Sequence, residues 1–221
     1  LTPDQAAVIA EIEADLGAPW PMARLLQGDV GSGKTLVALL SALLVTEGGD
    51  QVAFAAPTEL LARQHAEIAA RLLEPIGVRV AFLSGAVAGE PRQLLLAALA
   101  AGEIDILFGT HALFSRDVAF RRLGLVVVDE QHKFGVRQRM AMLAKGELPD
   151  LLVMTATPIP RTLALTAFGD LDVSTIRTMP PGRLPVVTHL ARQANAGKVY
   201  RRVREELDRT RARRAAIHAK V

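Results

Sequence analysis

Residues 28–35 have types and spacing that predict phosphate chemistry. They read Gly28, Asp29, Val30, Gly31, Ser32, Gly33, Lys34 and Thr35, and they lie between an apolar run and a helix-like segment. The glycines allow a tight turn in which amide groups and a helix N-terminus converge on one point of partial positive charge. We predict that this loop binds a polyphosphate, with Lys34 on the β- and γ-phosphates and the Thr35 hydroxyl on Mg²⁺. The alternative is a plain glycine-rich turn followed by a chance Lys-Thr pair.

Two neighbouring carboxylates, Asp129 and Glu130, follow the apolar run Leu125–Val128. Phosphoryl transfer needs an acidic group that holds Mg²⁺ and a second group that orients the attacking water. Asp129 suits the first role and Glu130 the second. An apolar strand that ends in Asp-Glu is also a common way to enter a loop, so this pair is ambiguous by itself. Together with the phosphate loop it indicates a nucleoside triphosphatase.

The elements that must position these residues alternate along the chain. Short apolar runs predict strands, and longer stretches between them predict helices. The predicted strands are Arg24–Gln27, Gln51–Ala55, Arg79–Leu83, Ile104–Phe108, Leu125–Val128, Leu151–Met154 and Val173–Ile176. The predicted helices are Ala6–Leu16 with Thr2 as N-cap, Lys34–Thr46, Glu59–Leu73, Pro91–Ala100, Arg137–Leu143 and Arg161–Ala167. This alternation predicts an α/β fold in which helices cover both faces of a parallel sheet and ligands bind at the carboxyl ends of its strands.

Composition narrows the class of protein. Half of the 221 residues are hydrophobic, no apolar run is long enough to span a bilayer, and no basic-then-apolar leader opens the chain. Cysteine is absent, which excludes disulfides and thiolate metal sites and agrees with a cytoplasmic location. The net charge of +3 is uneven, because residues 192–221 carry +7 and the other 191 residues carry −4. Nucleic-acid binding must therefore be argued from local motifs rather than from overall charge.

Several further motifs make the pattern specific. The phosphate loop and Asp129-Glu130-Gln131-His132 occur with Pro57–Ala62, Gly109-Thr110-His111, the run Thr155–Thr162 and Pro180–Arg183. This set resembles the first motor domain of superfamily 2 helicases, which has a RecA-like P-loop NTPase fold. In detail it is similar to the RecG family of bacterial ATP-dependent DNA helicases. Transcription-repair coupling factors share much of the set, but they usually have Tyr where Ser32 stands and Glu where Gln131 stands.

The resemblance implies roles for individual residues. Gln5 would read adenine, although it could also be an ordinary helix-surface residue. Gln131 and His132 would face the γ-phosphate and the partner domain, and Arg161 would join Thr155, Ala156 and Thr157 in coupling nucleotide state to DNA. The residues implied to contact the DNA backbone are Pro57, Thr58, Glu59, Ser84, Gly85, Gly109, Thr110 and His111. Ser84-Gly85 could instead be only a turn, and His65 is interpreted as a helix-surface residue.

The resemblance also implies domains and partners. Residues 1–180 would form the ATP-binding motor domain, and residues 181–221 a hinge and the start of a second motor domain. The partners would be branched double-stranded DNA such as forks and Holliday junctions, with ATP and Mg²⁺ as cofactors. Such helicases also carry an N-terminal wedge domain and a complete second motor domain, whose arginines finish the ATP site. Because an arginine finger is worth about 10³ to 10⁵ in rate, these 221 residues alone are expected to bind ATP and hydrolyse it slowly. A P-loop nucleotide switch without motor activity is the alternative from another class.

Overall fold

The computed structural model describes residues 1–130, 136–157, 171–178 and 188–218, with side chains omitted for 136–139 and 212–218. The chain divides into two compact units, Leu1–Pro181 and Gly182–Val221. Gln131, His132 and Arg161, to which roles were assigned, lie outside the described residues, as does the predicted helix Arg161–Ala167.

Within the described part of the first unit, seven strands form one parallel sheet in the order β3-β4-β2-β5-β6-β1-β7. The strands are β1 (Ala23–Gly28), β2 (Gln51–Ala55), β3 (Val80–Leu83), β4 (Ile106–Gly109), β5 (Leu123–Asp129), β6 (Asp150–Thr155) and β7 (Asp172–Ile176). The helices are α1 (Pro3–Leu16), α2 (Lys34–Glu47), α3 (Glu59–Leu73), α4 (Gly89–Ala101) and α5 (Val136–Leu143). The predicted α/β fold with a parallel sheet is confirmed.

Each strand sends alternate side chains to opposite faces of the sheet, as strand geometry requires. On β2, Val52 and Phe54 join a buried cluster with residues of α1, α2 and α3. Ala53 and Ala55 join a second cluster with Leu99 of α4 and Met142 of α5. The helices therefore cover both faces of the sheet, as predicted.

Helix α1 begins with a reciprocal capping arrangement. The Gln5 backbone N–H donates to Thr2 Oγ1 at 3.3 Å, and the Thr2 backbone N–H donates to Gln5 Oε1 at 2.8 Å. Pro3 occupies the first helical position, where its missing N–H is not needed. The prediction of Thr2 as the N-cap is confirmed, and the start of α1 is thereby fixed.

In the second unit, α6 (Ala196–His218) is the long helix of the described part. Val199, Val203 and Leu207 are spaced four residues apart along it, and each is about half exposed. Its other described positions are largely charged and exposed. No helix in the described part of either unit is apolar over a length sufficient to cross a membrane.

Candidate functional site

The carboxyl ends of β1, β6 and β5 lie side by side in the sheet. Thr155 at the end of β6 pairs with Gln27, and Met154 pairs with Asp129. Gly28 follows Gln27 as the last residue of β1 and opens the glycine-rich loop. The sheet therefore brings together the phosphate loop, the Asp129-Glu130 pair and Thr155, which are separated by up to 127 residues in the sequence.

The glycine-rich loop turns at two of its glycines. Gly31 has a φ of 81° and Gly33 a φ of 92°, which only glycine adopts without strain. Gly33 is also the N-cap of α2, and no side chain caps that helix. The amide groups of the first turn of α2 are therefore open to an external acceptor, which is the arrangement that binds phosphates.

Two glycines of the loop are required by close packing. A Cβ on Gly28 would lie 2.5 Å from Ser32 Oγ, and a Cβ on Gly33 would lie 2.3 Å from Gln5 Nε2. Gly28 thus contributes by its small size, whereas the turn itself depends on Gly31 and Gly33. Ser32 Oγ is buried and has no hydrogen-bond partner among the described residues. A buried hydroxyl of this kind inside a glycine loop suits a site that accepts an additional polar group.

Lys34 places its ammonium group inside the loop. Its Nζ donates to Gly28 O at 2.6 Å and to Asp29 O at 3.2 Å. Burial lowers the pKa of Lys34 below its usual value, while the nearby carboxylates of Asp129, Glu130 and Asp29 act in the opposite direction. Two neutral carbonyl oxygens compensate a half-buried cation poorly, so an anionic phosphate oxygen would be a stronger partner. The loop therefore fits a polyphosphate.

Asp129 and Glu130 differ in surroundings and in backbone conformation. Asp129 ends β5 and is buried, and its Oδ2 lies 2.9 Å from His65 Nε2. Glu130 is partly exposed and has a φ of 47°, which is strained for a residue with a side chain and costs about 1–2 kcal/mol. Such strain is common where a functional side chain must leave a strand in a fixed direction.

The described residues contain no group of three or more His, Cys, Asp or Glu that could hold a metal ion by itself. Mg²⁺ is usually held by one or two protein oxygens together with phosphate oxygens and water. The hydroxyl of Thr35 and the carboxylate of Asp129 supply oxygen donors at the same edge of the sheet. This donor set fits Mg²⁺ that arrives with a nucleotide.

Gln5 is buried, so its interpretation as a helix-surface residue is wrong. Its Oε1 caps α1, and its Nε2 donates to Ser32 O at 2.7 Å. In this structure the amide therefore ties α1 to the phosphate loop. Adenine contact by Gln5 stays a prediction.

Thr155, Ala156 and Thr157, to which the resemblance assigns a coupling role, form a turn at the end of β6. The Thr157 N–H donates to Thr155 Oγ1 at 3.1 Å, and Thr155 is buried while Thr157 is exposed. The turn thus lies between the end of β1, which opens the phosphate loop, and the end of β5, which carries Asp129.

The residues predicted to contact DNA lie at the ends of the three strands on the other side of the sheet. Pro57, Thr58 and Glu59 follow β2, Ser84 and Gly85 follow β3, and Gly109, Thr110 and His111 end or follow β4. The exposed members are Thr58, Glu59, Gly85 and His111. These eight residues therefore form one continuous stretch of the sheet edge, which we call the DNA half. It lies next to the ends of β5, β6 and β1, which we call the phosphate half.

Some members of this set already have structural roles. Thr58 caps α3, because its Oγ1 accepts from the Leu61 N–H at 3.3 Å. Ser84 is buried and its Oγ accepts from the Ala86 N–H at 3.2 Å, which favours the turn interpretation for this residue. A Cβ on Gly109 would lie 2.5 Å from Leu83 O, so strand packing alone requires glycine there.

His65 is the functional residue that sequence reasoning missed. It was interpreted as a helix-surface residue, and that is wrong, because it is 8% exposed and contacts both Asp129 and the Phe54 ring. A helical pattern could have indicated its burial. The buried residues of α3 recur at helical spacing and are Ala62, His65, Ala66, Ala69 and Leu73.

Comparisons with known proteins agree with this geometry. The sequence matches the DEAD/DEAH box helicase family over residues 2–166. The ATP-dependent DNA helicase RecG of Treponema pallidum is 58% identical over 218 residues, which are 96% of this chain and 32% of that protein. The RecG of Bacillus subtilis is 50% identical over 96% of this chain and 31% of its own length. The chain thus spans about a third of the length of these relatives.

A solved structure of RecG bound to a three-way DNA junction has a TM-score of 0.83 and 45% identity, covering 95% of this chain and 28% of that one. The helicase domain of Pyrococcus furiosus Hef, at 21% identity and a TM-score of 0.61, shares the fold over 78% of this chain and 37% of its own. The resemblance to RecG indicated by the motifs is confirmed. The chain belongs to the DEAD/DEAH box helicase family.

Proposed function

We propose that this chain is the ATP-binding motor domain of a DNA helicase or translocase that acts on branched double-stranded DNA. Its substrates would be forks and Holliday junctions, and its processes recombination, repair and the rescue of stalled forks. The observation that carries the proposal is the division of one sheet edge into two adjacent halves. The ends of β1, β6 and β5 carry the residues that would bind phosphate and metal, and the ends of β2, β3 and β4 carry exposed groups suited to a DNA backbone.

We assign to each phosphate-side residue a role that its position supports. Gly28, Asp29, Val30, Gly31, Ser32 and Gly33 form the backbone of the loop, and Lys34 supplies a positive charge within it. Thr35 and Asp129 would hold Mg²⁺, which neutralises phosphate charge when it is bound. Glu130 would orient the attacking water and accept its proton. Gln131, His132 and Arg161 keep the roles that the resemblance implies.

The DNA-side residues would hold the substrate through its backbone. The exposed Thr58 and His111 side chains, and the main chain at Gly85, can contact phosphates without reading bases. Such contacts suit a motor that must move along any sequence. RecG in the solved complex is bound to a three-way DNA junction, which supports branched DNA as the substrate class for this chain.

The same reasoning extends to the domains and the location. Residues 1–180 would be the first motor domain, and 181–221 the hinge and the start of the second. We place the protein in the cytoplasm, where bacterial DNA is processed. Comparisons with known proteins favour neither a transcription-repair coupling factor nor a nucleotide switch.

The test is the ATP dependence of DNA binding. Fluorescence anisotropy would measure the affinity of this chain for a labelled fork at a fixed low salt concentration, because phosphate contacts weaken steeply with salt. We expect the affinity to change when Mg²⁺ and a non-hydrolysable ATP analogue are added. Lys34→Ala should abolish that change and leave nucleotide-free DNA binding intact. DNA affinity that is independent of nucleotide in the unsubstituted chain would contradict the proposal and favour a switch.

A further inference from the structure

His65 joins the two halves of the site by a side-chain hydrogen bond. It lies on α3, the helix that follows β2 and begins at the predicted DNA loop, whereas Asp129 ends β5 in the phosphate half. The two residues are 64 positions apart in sequence, and His65 Nε2 lies 2.9 Å from Asp129 Oδ2. Strand β2, which precedes α3, and strand β5, which ends in Asp129, are neighbours in the sheet, and Phe54 pairs with Val127.

Packing alone does not explain a histidine at this position. The neighbours of His65 on the buried side of α3 are alanines and a leucine, and its ring lies 5.2 Å from the Phe54 ring. An apolar side chain would fill this space without a polar atom to satisfy. His65 instead buries Nδ1 with no hydrogen-bond partner among the described residues. A buried polar atom without a partner is unfavourable. The contact of the other ring nitrogen, Nε2, with Asp129 therefore explains a histidine at this position better than packing does.

The bond restricts the carboxylate of Asp129. An ionised carboxylate only accepts hydrogen bonds, so this contact uses the His65 tautomer that carries a proton on Nε2. With Oδ2 held from the α3 side, the carboxylate group cannot rotate freely. Asp129 pairs with Met154 near the end of β6, the strand next to β1, from which the phosphate loop leaves the sheet. In keeping with that position, the Asp129 charge opposes the lowering of the Lys34 pKa by burial. The carboxylate is thus held on its α3 side, at the sheet edge that carries the loop.

We propose that His65 is a positioning residue that orients Asp129 for Mg²⁺. The inference rests on the proposed function, because it assigns Asp129 to a nucleotide-bound metal. Partners that orient a metal ligand typically contribute about 10- to 100-fold to metal affinity. His65 also connects the Asp129 carboxylate to α3. The start of this helix, at its N-cap Thr58 and first residue Glu59, lies about two helical turns before His65.

Two amide variants of equal chemistry separate positioning from packing. In His65→Gln the amide nitrogen can reach the place of Nε2, whereas in His65→Asn it reaches only the place of Nδ1. The affinity of a fluorescent ATP analogue for this chain would be titrated against Mg²⁺ and measured again in EDTA. We expect His65→Asn to raise the Mg²⁺ concentration required by about 10- to 100-fold, with affinity in EDTA within twofold of the unsubstituted chain. His65→Gln should return most of the loss.

Leu73→Ala is the matched control, because Leu73 is buried on the same side of α3 and lies two turns beyond His65. It should lower the unfolding temperature and leave the Mg²⁺ requirement unchanged. The inference is overturned if folded His65→Asn keeps the unsubstituted Mg²⁺ requirement, or if folded His65→Gln loses as much as His65→Asn. If the unsubstituted chain binds the analogue equally in Mg²⁺ and EDTA, the proposed function fails and this inference fails with it.

Discussion

Replacement of Gln5 by methionine tests how the phosphate loop is held in shape. Methionine has nearly the same length and volume but cannot form either of the two hydrogen bonds that Gln5 makes, to Ser32 O and to the Thr2 N–H. Each bond contributes about 1 kcal/mol, and the Ser32 carbonyl left unpaired adds a penalty of about 1–3 kcal/mol. We therefore expect Gln5→Met to lower the free energy of unfolding by about 3–5 kcal/mol, measured by urea denaturation.

Nucleotide binding by the same variant distinguishes two roles for Gln5. If the amide acts by supporting the loop at Ser32 and Gly33, Gln5→Met should weaken ATP and GTP by the same factor. If it reads adenine, ATP alone should weaken. Thr2→Ala is the control, because it removes only the Thr2 side-chain cap of α1. It should cost about 1 kcal/mol in stability and leave both nucleotides unaffected. A Gln5→Met protein as stable as the unsubstituted chain would refute the structural argument.

Three further predictions concern buried or strained groups. Gln51→Leu should lower the free energy of unfolding by about 3–5 kcal/mol in urea denaturation, because the Gln51 side-chain amide forms hydrogen bonds with four buried or partly buried backbone groups. A smaller loss would show that water replaces these hydrogen bonds. Burial raises the pKa of Asp150 above 3.8, so Asp150→Asn should raise the unfolding temperature at pH 7. This gain should shrink as the pH falls towards 3.8, and a gain that does not change with pH would exclude the raised pKa as its cause. Glu130→Gln should keep Mg²⁺-dependent ATP affinity but reduce DNA-stimulated ATP hydrolysis by about 10²- to 10⁴-fold, measured by phosphate release from a protein with both motor domains. Unchanged hydrolysis would show that another residue orients the attacking water.

The sign for Asp150 follows from its surroundings. Desolvation favours the neutral carboxyl, and the nearby Asp15 and Asp50 charges act in the same direction. The folded state therefore binds the proton more tightly than the unfolded state, and stability from this group is present below pH 3.8 and lost as the pH rises through its raised pKa. Asparagine removes that loss while keeping an oxygen for the Met22 N–H, which donates to Asp150 Oδ1 at 2.6 Å.

The sheet and most helices could be predicted from the sequence because their signals are local. The runs of Val, Leu and Ile that form the strands end in charged, glycine or proline residues within a few positions. The predicted strand Gln51–Ala55 and the predicted helix Glu59–Leu73 agree with the structure at both ends. The phosphate loop could be recognised in the same way, since its eight residues are consecutive in the sequence.

The burial of Gln5 and His65 could not be predicted from the sequence, for a common physical reason. Each side chain is buried by a partner that is distant in sequence, 27 residues away for Gln5 and 64 for His65. A polar residue within a helix is usually exposed, so His65 was interpreted as a helix-surface residue, and the same interpretation stood as the alternative to adenine contact for Gln5. For His65, burial depends on which strands are neighbours, and strand order in a parallel sheet is not encoded in any one segment.

The position of β2 next to β5 has a mechanical consequence for a motor. These two strands form the boundary between the predicted DNA half and the phosphate half of the sheet. Their paired backbones keep a fixed register. A conformational change is therefore transmitted between the two halves more readily by side chains at the strand ends than by movement of the strands themselves. The bond from His65 to Asp129 crosses this boundary at the strand ends. If Asp129 binds Mg²⁺ as proposed, a shift of α3 on DNA binding would act on this carboxylate directly, without any rearrangement of the sheet.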